Sequence, residues 1–139
     1  MTSESLQGLT PADIAATFCA VLVDEWVRAG VSVACIAPGS RSTPVALALA
    51  ARDDLRVEVF HDERSAAFAA LGVGAASGRP AILLCTSGTA AAHFHAAVIE
   101  ADLSGVPIIV VTADRPPELI DVAAPQTIDQ TKLYGGSVR

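Results

Sequence analysis

Basic charge is scarce in this 139-residue sequence, and cysteine is scarcer still. Nine lysines and arginines stand against fifteen aspartates and glutamates, a formal net charge of -6. A nucleic-acid binder needs a basic stripe to meet phosphates, and none is present. The three cysteines, Cys19, Cys35 and Cys85, each lie inside an apolar segment, and none belongs to a Cys-x-x-Cys pair. They read as free buried thiols in a reducing cytoplasm, with no neighbouring base or cation to make a nucleophile. Charged residues are only 17% of the chain against 52% hydrophobic, which excludes disorder. Yet no apolar stretch reaches membrane-spanning length. The start, Met1-Thr2-Ser3-Glu4-Ser5, lacks both a basic region and an apolar one, so no export signal is read and a cytoplasmic location is expected. Two nucleotide fingerprints are missing as well. Gly72-Val73-Gly74 has no third glycine at dinucleotide spacing, and Pro38-Gly39-Ser40-Arg41-Ser42 lacks the Gly-Lys-Ser/Thr ending of a Walker loop.

What is present is an alternation of strand and helix within one domain, residues 1–139. Thr10-Pro11-Ala12-Asp13 opens a helix: Thr10 caps, Pro11 fits the first position, and Asp13 suits the positive end. Ile14, Phe18, Val21, Leu22 and Trp26 follow at helical spacing and predict its buried face. Gly30 ends it, and Val31 to Ala37 reads as a strand. Ser42 or Thr43 caps a second helix with Pro44 just inside. Val57, Val59 and Phe60 mark a second strand, and Asp62 caps a helix from Glu63 to about Ser77. Ala81 to Cys85 is a third strand, and Ser87 or Thr86 precedes one helix that runs to about Leu103. Pro107 to Val111 is the fourth strand. This order predicts a parallel sheet with helices on both faces. Beyond Pro116-Pro117 the pattern stops. Gly135-Gly136-Ser137 reads as linker with no closing element, which suggests a chain cut from a longer protein.

Each of the four strands ends in a polar loop, and parallel strands would gather all four loops at one carboxyl edge, where open α/β sheets bind ligands. Pro38 to Ser42 offers backbone N–H groups, the Ser40 hydroxyl and the planar fork of Arg41 to an anion. Taken alone, this loop reads first as a tight turn before a cap, with Arg41 solvated. Glu63 is a carboxylate at the sheet edge against a ligand nitrogen, or simply an acid favoured by the helix dipole. Thr86-Ser87-Gly88-Thr89 offers hydroxyls and a close backbone approach to a ligand, or caps a helix. Arg115 stands at the same edge as Arg41, so the two suit a shared anionic ligand. His93 and His95 are two apart on a helix and point to different sides, which makes them poor joint metal ligands. No metal ligands are assigned.

Taken in order, Pro38-Gly39-Ser40-Arg41-Ser42-Thr43-Pro44, Asp62-Glu63-Arg64-Ser65-Ala66, Thr86-Ser87-Gly88-Thr89-Ala90, Ala113-Asp114-Arg115-Pro116 and Pro125-Gln126-Thr127-Ile128 form a specific set. From about Pro11 to Val138 the chain closely resembles the N-terminal, pyrimidine-binding domain of the 2-succinyl-5-enolpyruvyl-6-hydroxy-3-cyclohexene-1-carboxylate synthases. These are thiamine-diphosphate-dependent transferases of menaquinone biosynthesis with three domains. The resemblance implies the thiamine-diphosphate-binding fold and a longer protein whose downstream domain holds the diphosphate and Mg2+. It implies that Glu63 hydrogen-bonds N1′ of the aminopyrimidine and activates the cofactor. The cofactor then serves to decarboxylate 2-oxoglutarate and add the succinyl-semialdehyde unit to isochorismate. Pro38, Gly39, Thr86, Ser87, Gly88 and Thr89 match positions at the cofactor. Ser40, Arg41, Arg115 and Gln126 match positions at the substrate or cofactor. A homo-oligomer, dimer or tetramer, is also implied, with each site shared between subunits.

Two other readings stay open from sequence. One is another thiamine-diphosphate enzyme, similar to acetohydroxyacid synthases, against which the Ser40-Arg41-Ser42 and Asp114-Arg115-Pro116 motifs argue. The other is a non-catalytic α/β ligand-binding module. The isolated chain is expected to fold, to be inactive, and to bind the cofactor weakly. It should expose apolar surface on its Ala-rich third and fourth helices, with Arg41 and Arg115 both exposed.

Overall fold

Thr10 and Asp13 start the fold with a reciprocal cap. The Thr10 hydroxyl accepts from the Asp13 N–H at 3.2 Å, and the Asp13 carboxylate accepts from the Thr10 N–H at 2.9 Å. Helix α1 runs over Pro11–Arg28. The computed structural model describes Thr10 to Val138; the polar start, Met1 to Ser5, lies outside those residues. Strand β1 (Val33–Ala37) follows, then a 3-10 turn at Ser40–Ser42, α2 (Thr43–Ala50), β2 (Arg56–Val59), α3 (Glu63–Ser77) and β3 (Ala81–Cys85). Two helices come next, α4 (Thr89–Ala92) and α5 (His95–Ser104), and then β4 (Ile108–Thr112).

The four strands form one all-parallel sheet in the order β2-β1-β3-β4. Side chains alternate between its faces, as strand geometry requires. Cys35, Ala37, Leu83 and Cys85 enter a core with α3 and the α4–α5 pair, while Ala34, Ile36, Ile82 and Leu84 enter a second core under α1 and α2. The expected covering of both faces is therefore present. The central strand β3 is buried along its whole length, and the edge strands β2 and β4 are not. Small residues let α3 sit close to the sheet. Ala66, Ala67, Ala70 and Gly74 are its buried positions, and a Cβ on Gly74 would stand 2.6 Å from the Pro107 carbonyl oxygen. All three cysteines are free and buried. Burial pushes the Cys35 thiol up to about 11. No helix among the described residues is long and apolar enough to cross a membrane.

Three local expectations change. The buried stripe of α1 is Cys19 and Val23, with Trp26 and Val27 alongside, whereas Ile14, Phe18 and Val21 lie exposed. The apolar sector of α1 is wider than one packing surface, and α2 and the sheet take the other side of it. Exposed apolar side chains do occur on α3 (Phe68) and α5 (Ile99, Leu103), as expected, but α1 adds more. The single helix expected after Ser87, to about Leu103, is broken at His93–Phe94. There the N–H groups of His93 and Phe94 bond three residues back, to Ala90 and Ala91, and Phe94 is sunk completely in the core. The Ala91 carbonyl also accepts the Tyr134 hydroxyl at 2.7 Å. Finally, the end of the chain is packed rather than trailing. Leu133 and Tyr134 lie on the α3–α5 core, Tyr134 meets His95 edge-on at 5.8 Å, and Gly135–Ser137 form a 3-10 turn against α5.

Candidate functional site

Because every strand runs the same way, the loops after β1, β2, β3 and β4 emerge together at the carboxyl edge. The chain steps from β1 outward to β2, then crosses to β3 on the other side. The β1–β3 gap is thus the topological switch point, where open sheets of this type place their crevice. Gly39 and Thr86 face each other across it: a Cβ on Gly39 would stand 2.6 Å from the Thr86 Cβ.

The β1 loop is held by its own serine. The Ser42 hydroxyl accepts from the Gly39 N–H and donates to the Gly39 carbonyl, both at 3.0 Å. Ser42 is buried and spent in this way, so it serves the turn rather than the α2 N-terminus. Pro38, Ser40 and Arg41 are exposed, and Arg41 makes no ion pair among the described residues.

At the β2 loop the two adjacent acids do different work. Asp62 caps α3, accepting from the N–H groups of Arg64 at 2.8 Å and Ser65 at 3.2 Å. Together with the Arg64 guanidinium, these bonds hold its carboxyl down to about 2. Glu63, the first residue of α3, is half-buried, and its carboxylate has no hydrogen bond or ion pair among the described residues. Its charge is felt at the end of β3, where burial first and Glu63 second push the Cys85 thiol up to about 12. Asp62 therefore satisfies the helix end, and the neighbouring carboxylate is left with free acceptor oxygens near the end of β3.

The β3 loop is less available than its sequence implies. Thr86, Ser87 and Gly88 are buried, and only Thr89 is exposed. The Ser87 hydroxyl donates to the Gln126 carbonyl at 3.0 Å, and the Gly88 N–H donates to Gln130 Oε1 at 2.8 Å. Two donors that the sequence offers to a ligand are thus taken by the C-terminal segment. Gln126 reaches the site through its backbone, with its side chain exposed and φ at 52°. Gln130 was not among the residues read from sequence. A single glutamine in an irregular segment carries no local signal; only its partners reveal it.

Arg115, expected to be exposed, is instead half-buried, and its Nε is buried with no hydrogen-bond partner. Beside it, the Arg115 N–H donates to the Asp114 carboxylate at 2.7 Å. An unpaired buried guanidinium donor is suited to receive an anionic acceptor. His93 is exposed and His95 packs on Tyr134, so the two do not converge. No cluster of three metal-ligating side chains occurs among the described residues.

Residues 16–133 match the family described as thiamine pyrophosphate enzyme, N-terminal TPP binding domain. The chain is similar to proteins named 2-succinyl-5-enolpyruvyl-6-hydroxy-3-cyclohexene-1-carboxylate synthase. In Thermobifida fusca the identity is 62% over 119 residues, covering 86% of this chain and 22% of that protein. In Haloarcula marismortui it is 54% over 131 residues, 94% of this chain and 22% of the relative. In Geobacillus kaustophilus it is 58% over 124 residues, 89% and 22% respectively. The chain spans about a fifth of the length of these curated relatives.

Proposed function

The chain belongs to the N-terminal TPP-binding domains of thiamine pyrophosphate enzymes, and we propose that it is the pyrimidine-binding part of a synthase of the kind its relatives are named for. In this reading the full-length protein decarboxylates 2-oxoglutarate and adds the succinyl-semialdehyde unit to isochorismate. It works in the cytoplasm as a dimer or tetramer. The rest of the protein, outside this chain, supplies the diphosphate and Mg2+ contacts.

The observation that carries the proposal is the free Glu63 carboxylate. It sits at the first turn of α3, at the same sheet edge as the Gly39–Thr86 contact, with its neighbour Asp62 occupied as a cap. Such a carboxylate fits a ring nitrogen that must carry a proton. Bound thiamine diphosphate supplies the electron sink for loss of carbon dioxide from a 2-oxo acid. Glu63 holds a proton at N1′ of the pyrimidine. Gly39 and Gly88 let the loops close, Gly39 against Thr86 and Gly88 against Gln126, and the edge formed by the Pro38 turn and Thr86 to Thr89 receives the flat ring. Ser40, Arg41, Arg115 and Gln126 bind and orient the carboxylates of the anionic substrates. With a chain net charge of -6, that attraction has to come from local arginines.

The test is the full-length protein with thiamine diphosphate, magnesium, 2-oxoglutarate and isochorismate. Turnover is expected, and Glu63→Gln should lower kcat by about 10²–10⁴-fold, the usual span for a lost acid–base contact, while Tm holds. Turnover by Glu63→Gln within a few-fold of wild type would refute the role given to this carboxylate.

A further inference from the structure

The loops after β3 and β4 are tied together by one amide that none of the sequence motifs contains. Gln130 Oε1 accepts from the Gly88 N–H at 2.8 Å. Its Nε2 donates to the Thr112 hydroxyl at 3.3 Å and to the Ala113 carbonyl at 3.2 Å. The partners fix the orientation of the amide: a backbone N–H on one side needs an acceptor, and a backbone carbonyl on the other needs a donor. A carboxamide carries an acceptor oxygen and a donor nitrogen side by side on one plane, so it meets both at once.

The three partners lie where placement matters. Gly88 follows β3 at the switch point, and Ala113 lies two residues before Arg115. The segment carrying Gln130 is also pinned at Gln126, whose carbonyl receives the Ser87 hydroxyl. Gly88 permits that approach, since a Cβ there would stand 2.8 Å from the Gln126 carbonyl carbon and oxygen. Asp121, Ala123, Gln126 and Lys132, four non-glycine residues of this same stretch, have left-handed backbone, with φ between 52° and 61°. Such a conformation persists where surrounding contacts over-determine it, and at Gln126 the Ser87 hydroxyl bond to its carbonyl is one such contact.

We infer that Gln130 is a positioning residue of this site: its amide sets the β3 loop, the Arg115 loop and Gln126 at fixed separations, without itself touching substrate. The inference rests on the reading of this edge as a cofactor and substrate site. Two variants of the full-length protein test it. Gln130→Met keeps the length and loses all three bonds. Gln130→Glu keeps the acceptor for Gly88 but sets an oxygen against the Ala113 carbonyl.

In Gln130→Met, kcat/KM for the carboxylate acceptor should fall by about 10–100-fold, the scale of a catalytic group displaced by about 1 Å. Tm should change by only a few degrees. Amide hydrogen exchange should quicken at Gly88. In Gln130→Glu the Gly88 amide should stay protected while kcat/KM still falls, because the loop bearing Arg115 is released. A Gln130→Met protein with wild-type kinetics, or with Gly88 protection unchanged, would overturn the inference. So would a fall in Tm with normal kinetics. Should the wild-type protein itself fail to turn over, the functional proposal has failed. The exchange pattern then decides about Gln130 alone: quickened exchange confined to Gly88 and the Thr112–Arg115 stretch supports it, and unchanged exchange refutes it.

Discussion

Gly39 and Thr86 meet so closely across the β1–β3 gap that a methyl on Gly39 would lie 2.6 Å from the Thr86 Cβ, 2.8 Å from its Cγ2 and 2.9 Å from its Oγ1. The contact joins two loops from opposite sides of the switch point, and it leaves the backbone of Gly39 without room for any side chain. Three of the four loops at this edge are fastened to another segment: β1 to β3 through this contact, β3 to residues 126–130, and β4 to Gln130. The acidic β2 loop is fastened to itself, by the Asp62 cap.

Gly39→Ala should cost about 1–3 kcal/mol, the range for overpacking a site with no slack. The nearest atom is the Thr86 Cβ, so trimming the hydroxyl or the methyl alone will not relieve it. Adding Thr86→Gly should recover part of the loss. A double-mutant cycle by urea unfolding should give a coupling of about 1 kcal/mol. Strict additivity would mean that the two loops separate freely.

Arg41 and Arg115 should respond differently to removal. Arg41 is exposed and makes no ion pair among the described residues, so Arg41→Ala should leave Tm unchanged and raise KM for the anionic substrate. Arg115 has a buried Nε without an acceptor. Arg115→Leu keeps apolar contact and removes that orphan, so Tm of the unliganded protein should hold or rise. Binding should weaken about 10–100-fold, the worth of a charge-assisted hydrogen bond of about 1.5–3 kcal/mol. Calorimetry of each variant with and without substrate checks both. A large loss of Tm in Arg115→Leu would show that the guanidinium holds the fold.

Tyr134→Phe removes the hydroxyl that donates to the Ala91 carbonyl at 2.7 Å. A loss of about 1 kcal/mol is expected near neutral pH. Burial raises the Tyr134 phenol above its ordinary value, and the nearby Cys85 adds to this. A raised acid stabilises the fold fully below its unfolded value, about 10 for tyrosine, and that stability is lost as pH rises through and beyond it. The wild-type advantage over Tyr134→Phe should therefore be complete at about pH 8 and shrink above about pH 10. Thermal melts of both proteins across that range measure the difference. A gap that does not narrow would place the ionising group elsewhere.

Much of the framework was legible because it depends on near neighbours. The Thr10–Asp13 cap, the Asp62 cap of α3 and the αL glycines after α3 and α5 are set by residues within one turn. The apolar runs separated by helices required a parallel sheet, and a parallel sheet brings Pro38 to Ser42, Glu63, Thr86 to Thr89 and Arg115 to one edge. Periodicity does not say which part of a wide apolar face finds a partner. In α1 the packing of α2 and the sheet chose Cys19 and Val23 over Ile14, Phe18 and Val21.

The sequence by itself determined the four strands, the helical stretches between them and the edge at which polar residues gather, since those follow from local spacing and strand direction; the break at His93–Phe94 and the packed turn at Gly135–Ser137 did not. The tertiary structure decided which of those polar groups remain free. Ser87 and Gly88 are occupied by partners 39 and 42 residues away, and Arg115 is half-buried with its Nε unpaired. The physical reason is that a donor has few acceptors within reach. Which one it takes depends on how distant segments pack, and local spacing carries no record of that.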